Sequence, residues 1–157
     1  MAACCYLILK TINKLKKRIK ENEGYKNFAY KDCLGFLTIG YGHLIKKNEK
    51  RFLYNSFSKK ALLKVFESDF QTAIKDYQKN YKKDNFQQNT KEVFIEMIFQ
   101  LGIKKQKRFK KMIKHIKKRR FFMAALEMKD SRWNRQTPKR VEILTKILLK
   151  KEYERKR

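Results

Sequence analysis

The sequence predicts an α+β protein, mostly helical, in which a small β-hairpin lobe lies between an N-terminal helix and a larger helical lobe. Three observations predict it. Only 5 Gly and 1 Pro punctuate 157 residues, too few for a turn-dense all-β fold. Apolar residues recur at helical spacing through most of the chain. One stretch, 25–45, instead collects strand formers (Tyr25, Phe28, Tyr30, Phe36, Leu37, Thr38, Ile39, Tyr41) between Gly35, Gly40 and Gly42. A hydrophobic fraction of 42% with 13% aromatics supplies a core and excludes a disordered chain. No internal repeat or flexible linker interrupts it, so residues 1–157 read as one domain: helix 1–24, small lobe 25–57, helical lobe 58–157.

Each element has a local signal. Leu9, Ile12, Leu15 and Ile19 form an apolar stripe among lysines, a helix that ends near Gly24. The stripe fits a core-facing helix; its basic polar face leaves a membrane-surface helix as the alternative. The hairpin turns near Cys33-Leu34-Gly35. Ser58 is placed to cap a helix that buries Leu62, Val65, Phe66, Phe70, Ile74 and Tyr77. Thr90 is read as the start of the next, with Val93, Phe94, Met97, Ile98 and Leu101, stopped at Gly102. Shorter stripes follow at Phe109, Met112, Ile113 and Ile116, then at Phe121, Phe122, Ala125 and Leu126. Thr137-Pro138 opens a last helix carrying Val141, Leu144, Ile147 and Leu148, because proline suits the first helical position. Its charged end, 150–157, is expected to fray.

Lys plus Arg number 42 against 15 Asp plus Glu, a formal charge of +27. Such a field attracts any polyanion, whether nucleic acid, anionic lipid or acidic wall polymer, and does not choose among them. The cysteines, Cys4, Cys5 and Cys33, are odd in number and lack metal-ligand spacing. They read as free thiols made in a reducing compartment. The apolar run near Met1 lacks a basic leader and is too short to span a bilayer, so no clear signal peptide is present and synthesis is expected in the cytoplasm.

The chemistry concentrates between Glu23 and His43. Glu23 closes the first helix, Asp32 sits at the hairpin and Thr38 lies on the return strand. Glycoside hydrolysis needs two carboxyl groups across a sugar, one protonated to serve the leaving oxygen and one ionised to steer water. An acidic pair nine residues apart is, by itself, more often plain surface charge.

The full string changes that balance. Glu23, eight residues, Asp32, five residues, then Thr38-Ile39-Gly40-Tyr41-Gly42-His43 resembles the phage-type lysozymes, glycoside hydrolase family 24. Phe99-Gln100-Leu101-Gly102, Ser131-Arg132-Trp133, Gln136-Thr137-Pro138 and Arg140 continue the resemblance in the same order, over roughly residues 17 to 145. It implies a lysozyme-like fold with a cleft between the small and helical lobes. The implied activity is that of a muramidase cutting the β-1,4 bond between N-acetylmuramic acid and N-acetylglucosamine, so that the cell wall lyses. Glu23 matches the family's general acid, Asp32 its second carboxylate, and Thr38 the threonine that helps hold the attacking water. Arg140 matches an arginine pairing with the glutamate across the cleft. Leu44, Phe99 and Gln100 fall at or beside groove-lining positions. Met112 and Glu127 depart from the family's uncharged polar pattern, so no substrate contact is carried to them. Between His43 and Ser58 the chain is shorter than the family, and a short helix of the small lobe is expected to be missing. An N-terminal extension is expected to lengthen the first helix.

Nothing in the sequence signals an oligomer, a cofactor or a metal, so a monomer without either is expected, and the resemblance implies action on peptidoglycan at the cell wall. Anionic wall polymers or a membrane surface are the further partners its charge suits, and no specific nucleic acid is expected. The alternative is a basic, non-catalytic wall-, membrane- or nucleic-acid-binding protein on the same scaffold. His43 has one other histidine in the chain, His115, too little for a metal site. The resemblance implies that His43 pairs with Asp69. The Gly40-Tyr41-Gly42 glycines are expected to permit a tight backbone beside the cleft rather than bind a nucleotide. Trp133 is expected in the core.

Overall fold

The computed structural model describes the backbone of residues 2–32 and 35–154, and the side chains of 11–32 and 35–150. The readings made for Cys4, Cys5, Cys33 and the Leu9 side chain lie outside the described residues. The chain divides into two compact units, 1–72 and 73–157.

The first unit opens with helix α1 (Ala2–Glu23). It stops because Gly24 takes a left-handed φ of +70° while its N–H donates to the Lys20 carbonyl at 3.1 Å. Leu15 and Ile19 are 2% and 1% exposed, so this stripe faces protein and not a membrane. Strands β1 (Lys26–Lys31), β2 (Leu37–Gly40) and β3 (His43–Leu44) form an antiparallel sheet in that order. The expected hairpin thus gains a third strand. In its register Tyr30 faces Thr38, and Thr38 faces Leu44, so these three share one row of one sheet face. A bulge interrupts β1 between Lys26 and Tyr30.

The short helix expected to be missing is present in reduced form as α2 (Arg51–Tyr54). One turn suffices because it delivers Phe52, 3% exposed, onto Ile39 and Leu62. Helix α3 (Lys59–Tyr81) begins where Ser58 predicts, its Oγ accepting from the Ala61 N–H at 3.2 Å. Lys16 of α1 reaches Glu67 of α3 at 2.6 Å, and Tyr41 packs edge-on to Phe66 at 5.6 Å.

The second unit begins within α3 and continues through α4 (Gln88–Leu101), α5 (Ile103–Gln106), α6 (Lys110–Lys117), α7 (Phe121–Lys129), α8 (Arg132–Gln136) and α9 (Pro138–Glu154). Its core gathers Tyr77, Phe94, Met97, Met112, Ile116, Met128, Val141 and Leu144. Tyr81 and Phe86 meet Phe94 at 4.9 and 5.2 Å.

Three expectations are corrected here. Helix α4 starts at Gln88, not Thr90; Thr90 lies in its first turn and is 2% exposed. On α7 the buried residues are Ala124, Ala125 and Met128, while Phe122 and Leu126 are exposed. Helix α9 continues past Lys150 to Glu154. Among the described residues, no helix is long and apolar enough to cross a membrane.

Candidate active site

Glu23 is the last residue of α1, half-buried. Its carboxyl group lies on the turn between β2 and β3. A Cβ built on Gly42 would stand 2.8 Å from Glu23 Oε2 and 3.3 Å from its Cδ, and Gly42 has a φ of +80°. The glycine therefore does two things. It takes the left-handed backbone the turn requires, and it leaves the space that the carboxyl group fills. The tight backbone expected of Gly40-Tyr41-Gly42 is present, and its use is to seat Glu23.

Asp32 and Thr38 are tied together through one residue. The Asp32 N–H donates to the Phe36 carbonyl at 2.9 Å, and the Phe36 N–H donates to Asp32 Oδ1 at 2.8 Å. Gly35 closes the turn by donating to the Asp32 carbonyl at 3.0 Å. Thr38, 4% exposed, donates its hydroxyl to that same Phe36 carbonyl at 3.0 Å. With its proton committed there, the Thr38 oxygen can present only lone pairs to a further partner. A carboxylate and a hydroxyl acceptor are thus locked into one hairpin.

His43, on β3, is 7% exposed and held from both sides. Its Nδ1 lies 2.7 Å from Asp69 Oδ2 on α3, as expected. Its Nε2 lies 3.1 Å from Glu49 Oε2, which also accepts from the Lys46 N–H at 2.9 Å. Sequence reasoning missed Glu49, which comes into place only through the turn that Lys46 and Glu49 close. The hydrogen bond to Asp69 raises the His43 imidazole above its ordinary 6.5, against the burial that would lower it, and Glu49 acts in the same sense. Burial opposes ionisation of Glu49, yet the Lys46 N–H and His43 outweigh it and hold this carboxyl below its ordinary value.

A histidine raised in the native state contributes stability that is fully present below about 6.5 and is lost as pH rises through its native value. Asp69→Asn should therefore cost about 2 to 3 kcal/mol near pH 5.5, measured by denaturant unfolding, and progressively less at alkaline pH. In the same variant the His43 titration followed by NMR should fall; an unchanged titration would show that Asp69 does not hold the ring.

Other predicted residues separate between the units. Leu44 is 53% exposed and stands beside Thr38 in the sheet row. Phe99, Gln100 and Arg140 belong to the second unit, on α4 and α9, two helices that pack on each other. Arg140 is 6% exposed. Phe99 packs partly against the core. Gln100 Oε1 accepts from the Trp133 indole N–H at 2.8 Å, so this side chain has a structural partner. Trp133, 4% exposed, sits in the core as expected, edge-on to Phe109 at 5.8 Å. Met112 is 1% exposed and belongs to the core. Among the described residues, no group of three His, Cys, Asp or Glu could hold a metal ion.

A mostly helical α+β fold with this small sheet is that of a lysozyme-type glycosidase. The phage lysozyme family matches residues 20–152, and the chain belongs to that family. It is 34% identical to probable T4-type lysozyme 2 of Dictyostelium discoideum, over 82% of this chain and 89% of that protein. Probable T4-type lysozyme 1 of the same organism is 33% identical over the same shares.

Proposed function

We propose that the protein is a muramidase that hydrolyses the β-1,4 bond between N-acetylmuramic acid and N-acetylglucosamine, opening the bacterial wall as an endolysin does. The observation that carries this reading is the hairpin in which the Phe36 backbone holds both Asp32 and Thr38. Two acceptors on one rigid turn can each take a hydrogen of one water molecule. That leaves the water's lone pair directed away from them, toward an anomeric carbon. Glu23, at the end of α1 with its carboxyl group against the β2–β3 turn, supplies the proton to the leaving oxygen. Water attack opposite the departing sugar inverts the anomeric carbon.

Arg140 is carried over from the family resemblance as a supporting residue, and His43, through Asp69 and Glu49, holds β3 in place. Leu44, Phe99 and Gln100 are carried over from the family resemblance as substrate-binding residues. No cofactor enters this chemistry. The protein works as a monomer, made in the cytoplasm and acting at the wall once released. Its charge of +27 draws it to anionic wall polymers.

Digestion of purified peptidoglycan tests the reading. Mass spectrometry should find reducing N-acetylmuramic ends. Anhydro ends would replace hydrolysis by transglycosylation, and no released fragments would leave a basic wall-binding protein.

A further inference from the structure

A polar pocket of about 170 Å³ lies wholly within the second unit, apart from every residue assigned above. Its walls include the first turns of two helices, α4 through Gln87 and Thr90 and α7 through Phe121. Neither helix has a side-chain cap, and neither carries an acidic residue in its first turn. The N–H groups that begin each helix therefore lack their usual side-chain acceptor and present the positive end of the helix dipole.

Three side chains add to this. Thr90 is 2% exposed, lines the pocket, and has no hydrogen-bond partner for its hydroxyl among the described residues. Lys117 lines the pocket with its ammonium fixed by Asp84 at 2.9 Å, which leaves donors of the Lys117 group over. Arg119 lines it from a left-handed backbone, φ +56°, at the end of α6, where glycine would fit without strain. Asp84 balances one of the two cations and leaves the other in excess.

We propose that this pocket binds a phosphate group, free or as an ester. The lining combines the starts of two helices with a threonine, a lysine and an arginine. A tetrahedral dianion offers enough oxygens to meet them, which a single carboxylate does not. Phe86 and Phe121 provide apolar wall against which the carbon stem of a phosphate ester can lie.

The test is an amide NMR titration of the full-length protein with inorganic phosphate and with glycerol 3-phosphate at fixed ionic strength. Saturable shifts are expected at the Gln88, Asn89, Thr90 and Phe121 amides. Arg119→Gly removes the guanidinium while relieving the backbone, so the fold is kept; it should weaken binding about tenfold. Thr90→Val should weaken it about threefold. Shifts that never saturate and spread over the lysine-rich surface, or equal affinity in Arg119→Gly, would overturn the site. Phosphatidylglycerol vesicles separate the sources. Displacement of the bound phosphate assigns the pocket to a lipid phosphodiester, and retention assigns it to soluble phosphates.

Discussion

Glu23→Gln is expected to reduce peptidoglycan hydrolysis by about 100- to 10,000-fold while leaving the protein folded. The amide keeps the size of the carboxyl group and still fits the space above Gly42. It cannot surrender a proton to a departing sugar oxygen. Loss of turnover with an unchanged melting temperature would therefore isolate proton donation from packing. Asp32→Ala and Thr38→Ala provide the complementary arm. Each removes one acceptor from the hairpin that Phe36 holds, so activity should fall with each. Wall clearance by Glu23→Gln at the parental rate would refute the assignment of the proton donor. Lysis of whole cells by all three variants, with purified peptidoglycan left intact, would trace killing to the basic surface acting on membranes.

What the sequence makes legible depends on how local the cause is. Gly24 ends α1 and Ser58 opens α3 through hydrogen bonds spanning three or four residues, and both are readable from the chain alone. The His43–Asp69 pair spans 26 residues, and it follows from the family resemblance rather than from local chemistry. Strand β3 has two residues and α2 has four, too short to show any period. Glu49 was missed for the same reason, since its place is set by a turn between these two small elements. On α7, the first six residues, Phe-Phe-Met-Ala-Ala-Leu, are all apolar, so periodicity points to no face. Packing against α6 and α9 makes the choice, burying Ala124, Ala125 and Met128 and leaving Phe122 outside. Thr90 reads as a helix start, but Phe86 meets Phe94 edge-on at 5.2 Å and helix α4 begins two residues before Thr90.

Gly42→Ala should lower kcat by about 100-fold, with KM little changed. The added methyl group would stand 2.8 Å from Glu23 Oε2 and 3.4 Å from its Cγ, so the carboxyl group must move off the turn. A displacement near 1 Å at a proton donor is costly because transfer depends on its aim at the leaving oxygen. The substitution also strains the backbone, since φ is +80° at this position, and that should cost about 1 to 2 kcal/mol of stability. Strain alone is separable from displacement. Gly102, with φ +75°, ψ 153° and nothing within 4 Å of a built Cβ, also needs a glycine backbone, and a methyl group there would not touch Glu23. Gly102→Ala should therefore lose at least as much stability and keep its turnover. Equal activity losses in the two variants would mean that weakened folding, and not the seat of Glu23, explains the defect. A loss confined to Gly42→Ala would assign the turn between β2 and β3 the task of aiming the acid.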